Sequence, residues 1–197
     1  MKKLIVITYP DFFPGEGKII TRLFEEGLQY LHLRKPGCSE KELIQLIDMI
    51  RPEFHNRIIL HDCFNLAANY PVAGLHINRR NNRIPANFKG NLSRSCHSLQ
   101  EVEECKGFDY VFLSPIFDSI SKEGYPSNFP MEKLKEASGK GIINEKVIAL
   151  GGLDSTTIPL LKEINFGGFA VLGALWGNQL TEKDSNPIIE RYKQFQI

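Results

Sequence analysis

Nowhere in this 197-residue chain is there an apolar run long enough to span a membrane, and only four cysteines and three methionines occur. The N-terminal run Leu4–Ile7 is too short for a bilayer span or for the core of a signal peptide. Cys38, Cys63, Cys96 and Cys105 show no C-x-x-C spacing, which removes the usual signature of a zinc site or a redox pair. Isolated thiols without a leader sequence lead us to expect a cytoplasmic protein. Charge is scarce in net terms as well: the formal balance is +1, so no global field argues for nucleic acid or a membrane surface as partner. Arg79, Arg80 and Arg83 do cluster, but without interleaved aromatics. They read as a solvated loop or, alternatively, as a rim that attracts an anionic substrate.

What is present is an alternation. Eight short apolar segments read as strands: Leu4–Thr8, Tyr30–Arg34, Arg57–His61, Gly74–Ile77, Leu92–Ser95, Tyr110–Leu113, Val147–Leu150 and Gly168–Val171. Most are too uniformly apolar for a sheet with one wet face, which implies strands covered on both sides. Helical patterns separate them. Ser39-Glu40-Lys41-Glu42 and Ser98-Leu99-Gln100-Glu101 have the form of capping boxes. Pro130 suits a first helical turn, Asn186-Pro187 starts the last helix, and the stretch 155–164 reads as a helix capped by Asp154 or Ser155. Residues 78–89, rich in Asn, Arg and Pro, read as a loop where a helix would normally lie. The expected fold is a small (β/α)8 barrel forming one domain over residues 1–197. A doubly wound open sheet would carry its glycine-rich phosphate turn after the first strand, where this chain has Tyr9-Pro10-Asp11.

On a barrel the chemistry sits at the C-terminal strand ends. The seventh and eighth segments both end in glycine, at Gly151-Gly152 and at Gly173, which follows Leu172. Glycine there lets backbone N–H groups approach an anion with no Cβ in the way, so this pair is the expected phosphate cup. After the second strand, Arg34 and Lys35 form either an anion clamp or an exposed basic turn. Asp62 follows the third and can ligate Mg²⁺, orient a substrate or cap the next segment. His76, inside an apolar run, reads as a hydrogen-bonded structural histidine. His97 immediately precedes a helix start, where the dipole favours neutral imidazole and suits a general base. Ser95 reads as a phosphate or substrate contact and Ser98 as the helix cap. The long polar loop that follows the sixth strand, with Ser119, Ser121 and Lys122, has the composition of a lid carrying anion donors.

Taken in order, these segments resemble the thiamine phosphate synthase/TenI superfamily. The resemblance rests on Arg34-Lys35, His61-Asp62, Gly74-Leu75-His76-Ile77 and Ser95-Cys96-His97-Ser98. It continues through Asp109 to Phe117, Ser119-Ile120-Ser121-Lys122, Ala149-Leu150-Gly151-Gly152 and Gly168-Phe169-Ala170-Val171. The resemblance implies a barrel acting on a thiazole phosphate, with a homodimer possible. Its synthase branch couples a hydroxymethylpyrimidine diphosphate to the thiazole phosphate and needs Mg²⁺, held by the Asp of an Asn-Asp pair and by a second Asp after strand four. Here His61 replaces that Asn, and Ile77-Asn78-Arg79-Arg80-Asn81-Asn82 carries no carboxylate. Lys35 is also adjacent to Arg34, where the family places its lysine two residues on. The TenI branch lacks the metal pair and uses a histidine at the position of His97 to shuttle a proton. The expectation drawn from these departures is a thiazole tautomerase needing no cofactor. The alternatives are a synthase with Mg²⁺ on Asp62 and a non-catalytic phosphate-ligand binding regulator.

Overall fold

Strands form where the chain alternates between two environments that are both dry. In Tyr30–Leu33 (β2), Leu31 and Leu33 face outward into the helix layer while His32 faces the barrel interior, and all three are buried. The computed structural model describes residues 2–117, 129–177 and 180–195. The remaining strands are Lys3–Ile7 (β1), Ile58–Leu60 (β3), Gly74–Ile77 (β4), Asn91–Cys96 (β5), Tyr110–Leu113 (β6), Val147–Leu150 (β7) and Gly168–Val171 (β8). Each pairs in parallel with the next, and β8 closes on β1 through the register Lys3 to Gly168 and Val6 to Val171. The expected (β/α)8 barrel is the fold observed.

Among the described residues six α-helices accompany the strands: Glu16–Glu25 (α1), Glu40–Asp48 (α2), Leu99–Glu104 (α3), Met131–Gly139 (α4), Gly173–Trp176 (α5) and Ser185–Lys193 (α6). Ile19, Ile20, Leu23, Leu43, Leu46, Ile47, Leu134, Ile188 and Ile189 form their inner stripe and pack on the outward face of the strands. The capping box at Ser39 forms in full. At Ser98 only half of it forms, because Glu101 Oε2 accepts the N–H of His97 at 2.7 Å instead of that of Ser98. Between β4 and β5 no helix is present, as the composition of 78–89 implies.

The expected helix over 155–164 shrinks to a 3-10 turn, Ile158–Leu161. Asp154 Oδ1 accepts the N–H groups of Thr156 and Thr157 at 2.8 and 2.9 Å, and Pro159 has no N–H with which to extend an α-helical ladder. Among the described residues no helix is long and apolar enough to cross a membrane.

The barrel interior is split. Ile5, Ile7, Phe112, Ile148 and Ala170 fill the side formed by β1, β6, β7 and β8. Opposite them His32, His61, His76 and Ser93 are buried, so the half toward β2–β5 is polar. Such groups must be hydrogen-bonded to be tolerated. His32 Nδ1 lies 2.8 Å from His61 Nε2 and His32 Nε2 lies 2.6 Å from Tyr110 Oη. His76 contacts Ser93 Oγ at 2.9 Å and Ser95 Oγ at 3.1 Å. The structural role read for His76 is what its hydrogen bonds describe, and its ring also stacks on His61.

Candidate active site

A cavity of about 710 Å³ opens at the C-terminal strand ends. His61, His76 and Phe112 form its floor, and Arg34, Asn78, Arg80, Ser95, His97 and Ser114 line one flank. Leu150, Gly151, Gly152, Leu172 and Gly173 line the other. The volume suits one or two small ligands. Of the residues expected from the sequence, the structure gathers Arg34, Ser95, His97, Gly151, Gly152, Leu172 and Gly173 around one space. Ser119, Ser121 and Lys122 lie outside the described residues.

The β7–β8 wall is shaped by backbone. Gly151 and Gly152 have φ of 99° and 62°, the left-handed region that side chains disfavour. A Cβ on Gly151 would stand 2.8 Å from Pro115 Cα. After β8 the chain turns at Leu172 into the short helix α5, whose first N–H groups, on Gly173 and Ala174, have no intrahelical acceptor. The Trp176 indole donates to the Ile7 carbonyl at 2.7 Å, and Arg191 Nε donates to the Leu175 carbonyl at 2.6 Å, so this turn is held from both ends. Gly151→Ala should therefore lower stability by about 1–3 kcal/mol through strain and abolish thermal stabilisation by inorganic phosphate. Melting curves with and without phosphate check this, and an unchanged phosphate response would remove Gly151 from the anion site.

Two expected contacts are placed elsewhere. Lys35 does not line the cavity: its side chain is fully buried, and Nζ donates to Glu16 Oε1 and Oε2 at 2.6 and 2.7 Å and to the carbonyls of Tyr9 and Asp11 at 2.9 Å. It faces away from Arg34 because consecutive strand residues point to opposite faces. Its role is to hold the β1–α1 loop, which brings Tyr9 and Pro10 to the cavity wall. Burial pushes the Glu16 carboxyl up to about 7, with Lys35 opposing the shift. Burial lowers the pKa of Lys35, against the attraction of Glu16.

Asp62 is likewise set behind the wall. Oδ2 accepts the Lys35 N–H at 3.1 Å, and Oδ1 accepts Asn81 Nδ2 at 3.1 Å and a guanidinium N–H of Arg80 at 3.4 Å. It is not the cap of the next segment, whose first turn starts at Cys63 with no side-chain cap. Arg80 is the residue the sequence underrated. The tandem arginines read chiefly as solvated, yet the chain turn at Asn78 draws Arg80 back to the strand ends. Asn78 Oδ1 accepts the Arg80 N–H at 3.0 Å, and Asn78 Nδ2 donates to the His61 and His76 carbonyls.

Two metal arrangements can be tested on this geometry. Mg²⁺ on Asp62 would need oxygen ligands, yet Asp62 is already partnered by three donors and no carboxylate lines the cavity among the described residues. These residues do not fit Mg²⁺. The ring nitrogens of His32, His61 and His76 lie within 4.8 Å of one another. The 2.8 Å separation of His32 Nδ1 from His61 Nε2 is a hydrogen-bond length, however, shorter than the roughly 3.3 Å between two nitrogens on tetrahedral zinc. With the Tyr110 hydroxyl donating to His32 Nε2, His32 Nδ1–H donates in turn to His61 Nε2, which uses both nitrogens of the His32 ring.

His97 is exposed to the cavity, and its Nδ1 lies 3.1 Å from the Ser114 carbonyl oxygen. A carbonyl only accepts, so Nδ1 carries the proton and Nε2 of the neutral ring is left as a base. Ser95, bonded to His76, presents its hydroxyl beside it.

An eight-stranded parallel barrel with such a cavity at its C-terminal mouth belongs to the class of small barrel enzymes. The sequence profile of the family described as thiamine monophosphate synthase matches residues 5–175, and the chain belongs to that family. It is 26% identical to the thiamine-phosphate synthase of Clostridium tetani, over 91% of this chain and 90% of that protein. Against the thiamine-phosphate synthase of Syntrophomonas wolfei the figures are 24%, 88% and 88%. Among solved structures, the thiamine phosphate pyrophosphorylase from Bacteroides thetaiotaomicron superimposes with a TM-score of 0.89 at 41% identity, covering 98% of this chain and 95% of that one. The thiamine phosphate pyrophosphorylase from Pyrococcus furiosus shares the fold at a TM-score of 0.72 and 19% identity, covering 99% and 97%.

Proposed function

We propose that this protein is a thiamine phosphate synthase, coupling hydroxymethylpyrimidine diphosphate to thiazole phosphate with release of diphosphate. The reading that the sequence alone favoured, a thiazole tautomerase, moves to second place. The observation that carries the synthase reading is a cavity with two walls of anion-binding composition on opposite sides of the barrel. One is the glycine cup at β7 and β8; the other is the Arg34 and Arg80 pair at β2 and β4. Two phosphorylated substrates need two such walls, and the relatives named above carry the matching name.

In this reading the thiazole phosphate is held by backbone N–H groups at the cup. The pyrimidine substrate places its diphosphate against the two guanidiniums, over the histidine floor. A bond forms from the thiazole to the pyrimidine methylene carbon as the carbon–oxygen bond to diphosphate breaks, and the electron pair leaves with the diphosphate. The arginines stabilise that developing charge in a partly dry site. The tautomerase reading is favoured by one specific observation, the Nε2 of His97, which has no hydrogen-bond partner among the described residues and suits moving a proton on the thiazole ring.

The deciding experiment supplies both substrate sets to the purified protein. Formation of thiamine phosphate and diphosphate from the first set is the expected result. Turnover of only the unaromatised thiazole carboxylate phosphate, lost in His97→Ala, would replace it with the tautomerase reading. Binding of thiazole phosphate with neither reaction would leave a phosphate-ligand binding protein.

A further inference from the structure

We infer that Arg80 stands on Asp62 where the resemblance implies a divalent ion, so that Arg34, Arg80 and Asp62 form a diphosphate site that needs no metal. The inference rests on the synthase reading for its biological ligand, but its test needs no turnover.

Three observations carry it. Asp62 is buried, and its oxygens are committed to the Lys35 N–H, the Asn81 amide and the Arg80 guanidinium. A hydrated Mg²⁺ would have to displace Arg80, with no second carboxylate beside it among the cavity-lining described residues. Magnesium sites rely on a carboxylate or two together with substrate phosphate, and a guanidinium already paired to the one available removes that basis.

The backbone at Arg80 is held in place, and its half-exposed side chain reaches Asp62 at 3.4 Å. Its backbone N–H is bound by Asn78 Oδ1, while the side-chain amides of Asn78 and Asn81 tie the turn to the His61 carbonyl at 2.8 and 3.1 Å. Only one of its donor contacts goes to Asp62, and the other guanidinium N–H groups remain for a ligand.

Arg34 completes the site. Its guanidinium lines the same cavity and has no hydrogen-bond or ion-pair partner among the described residues. It feels both neighbours, Arg80 as a repelling charge and Asp62 as an attracting one. The three side chains together carry a net +1, with both cations facing the cavity and the carboxylate behind them. A planar fork matches the paired oxygens of a diphosphate, and a covalently tethered cation supplies the charge a bound metal otherwise would.

The test is calorimetric titration of the protein with inorganic diphosphate, in EDTA and again with excess Mg²⁺. Binding is expected in EDTA, with no tightening by Mg²⁺. Arg80→Ala should weaken it at least tenfold, while the exposed Arg83→Ala leaves it unchanged. Arg80→Asp, which supplies the missing carboxylate, should lose binding in EDTA and regain it with Mg²⁺. Diphosphate binding by the unaltered protein only with Mg²⁺, or an unchanged affinity in Arg80→Ala, would overturn the inference. If diphosphate binds as expected and no thiamine phosphate forms, the synthase reading fails alone. If thiamine phosphate forms only with Mg²⁺, this inference fails alone.

Discussion

Acidification from pH 7 to pH 5.5 should remove several kcal/mol of folding stability through three buried histidines, a loss offset in part by the proton that Glu16 takes up in the folded chain. The source is the polar half of the barrel. Burial holds the pKa values of His32 and His61 well below the ordinary histidine range, with the neighbouring His76 adding to the effect in both. Burial also takes His76 down to about 3, with Arg34 and Arg94 adding to the shift. Arg34 and Arg80 act on His61 in the same sense, so the charges facing this cluster are cations and none of them favours imidazolium.

At these three rings the unfolded chain, with ordinary values near 6.5, binds protons as pH falls, and the folded chain does not. Stability is therefore fully present above pH 6.5 and is lost as pH falls below it. Each histidine contributes a limiting slope of about 1.4 kcal/mol per pH unit. Urea unfolding at pH 7, 6 and 5.5 measures the loss directly. In His76→Gln one titrating group is gone, and the loss over the same interval should shrink by about 1 kcal/mol. Imidazole NMR signals of the folded protein that titrate with midpoints near 6.5 in all three rings would contradict the prediction independently of whether the variant folds.

This cluster also shows how far the sequence could be read. Strand limits were legible to the residue at Gly74–Ile77, Tyr110–Leu113, Val147–Leu150 and Gly168–Val171, because apolar runs bounded by glycine or polar residues leave few alternatives. That Arg34, Ser95, His97, Gly151, Gly152 and Gly173 would meet at one mouth followed from strand ends alone. His32, His61 and His76 on neighbouring strands were not seen as one layer, since that requires the register of β2, β3 and β4. The alternation rule held the needed signal: each histidine shares an inward face with a residue two positions away.

Arg80 shows a different limit: it is half exposed, as a solvated loop implies, and it also reaches the cavity rim. A tandem arginine in a polar loop looks solvated until the Asn78 turn is known, and that turn depends on carbonyls of β3 and β4. The helix expected over 155–164 failed through local chemistry that was visible, an Asp154 turn and Pro159. Ser119, Ser121 and Lys122 lie outside the described residues, so the lid they suggest stays an expectation of the sequence.

Lys35→Met should cost about 3–5 kcal/mol of stability, the range for leaving one member of a buried ion pair without its partner. Lys35 and Glu16 have side-chain exposures of 0% and 2%, so water cannot replace the lost ammonium. The Tyr9 and Asp11 carbonyls lose a donor in the same change. Glu16→Gln should cost less, about 1–3 kcal/mol, because the amide oxygen still accepts from Lys35 and the ammonium keeps both carbonyls and the Phe12 ring, 4.7 Å away. Replacing both, as Lys35→Met with Glu16→Leu, should cost less than the sum of the two single changes, since no charge is then stranded.

The pH dependence identifies the stranded group. With its folded pKa already raised to about 7, Glu16 binds a proton more readily in the folded chain than in the unfolded one. That contribution is present at low pH and is lost as pH rises through the folded value. Compared with the unaltered protein at the same pH, Lys35→Met should therefore be less destabilised at pH 5.5 than at pH 8. A lysine acting as a substrate clamp predicts no such pH dependence. The variant would melt like the unaltered protein at every pH and show only weakened diphosphate binding. Chemical denaturation at the two pH values, beside a diphosphate titration, separates the two roles. A melting point within a degree of the unaltered protein would return Lys35 to the substrate.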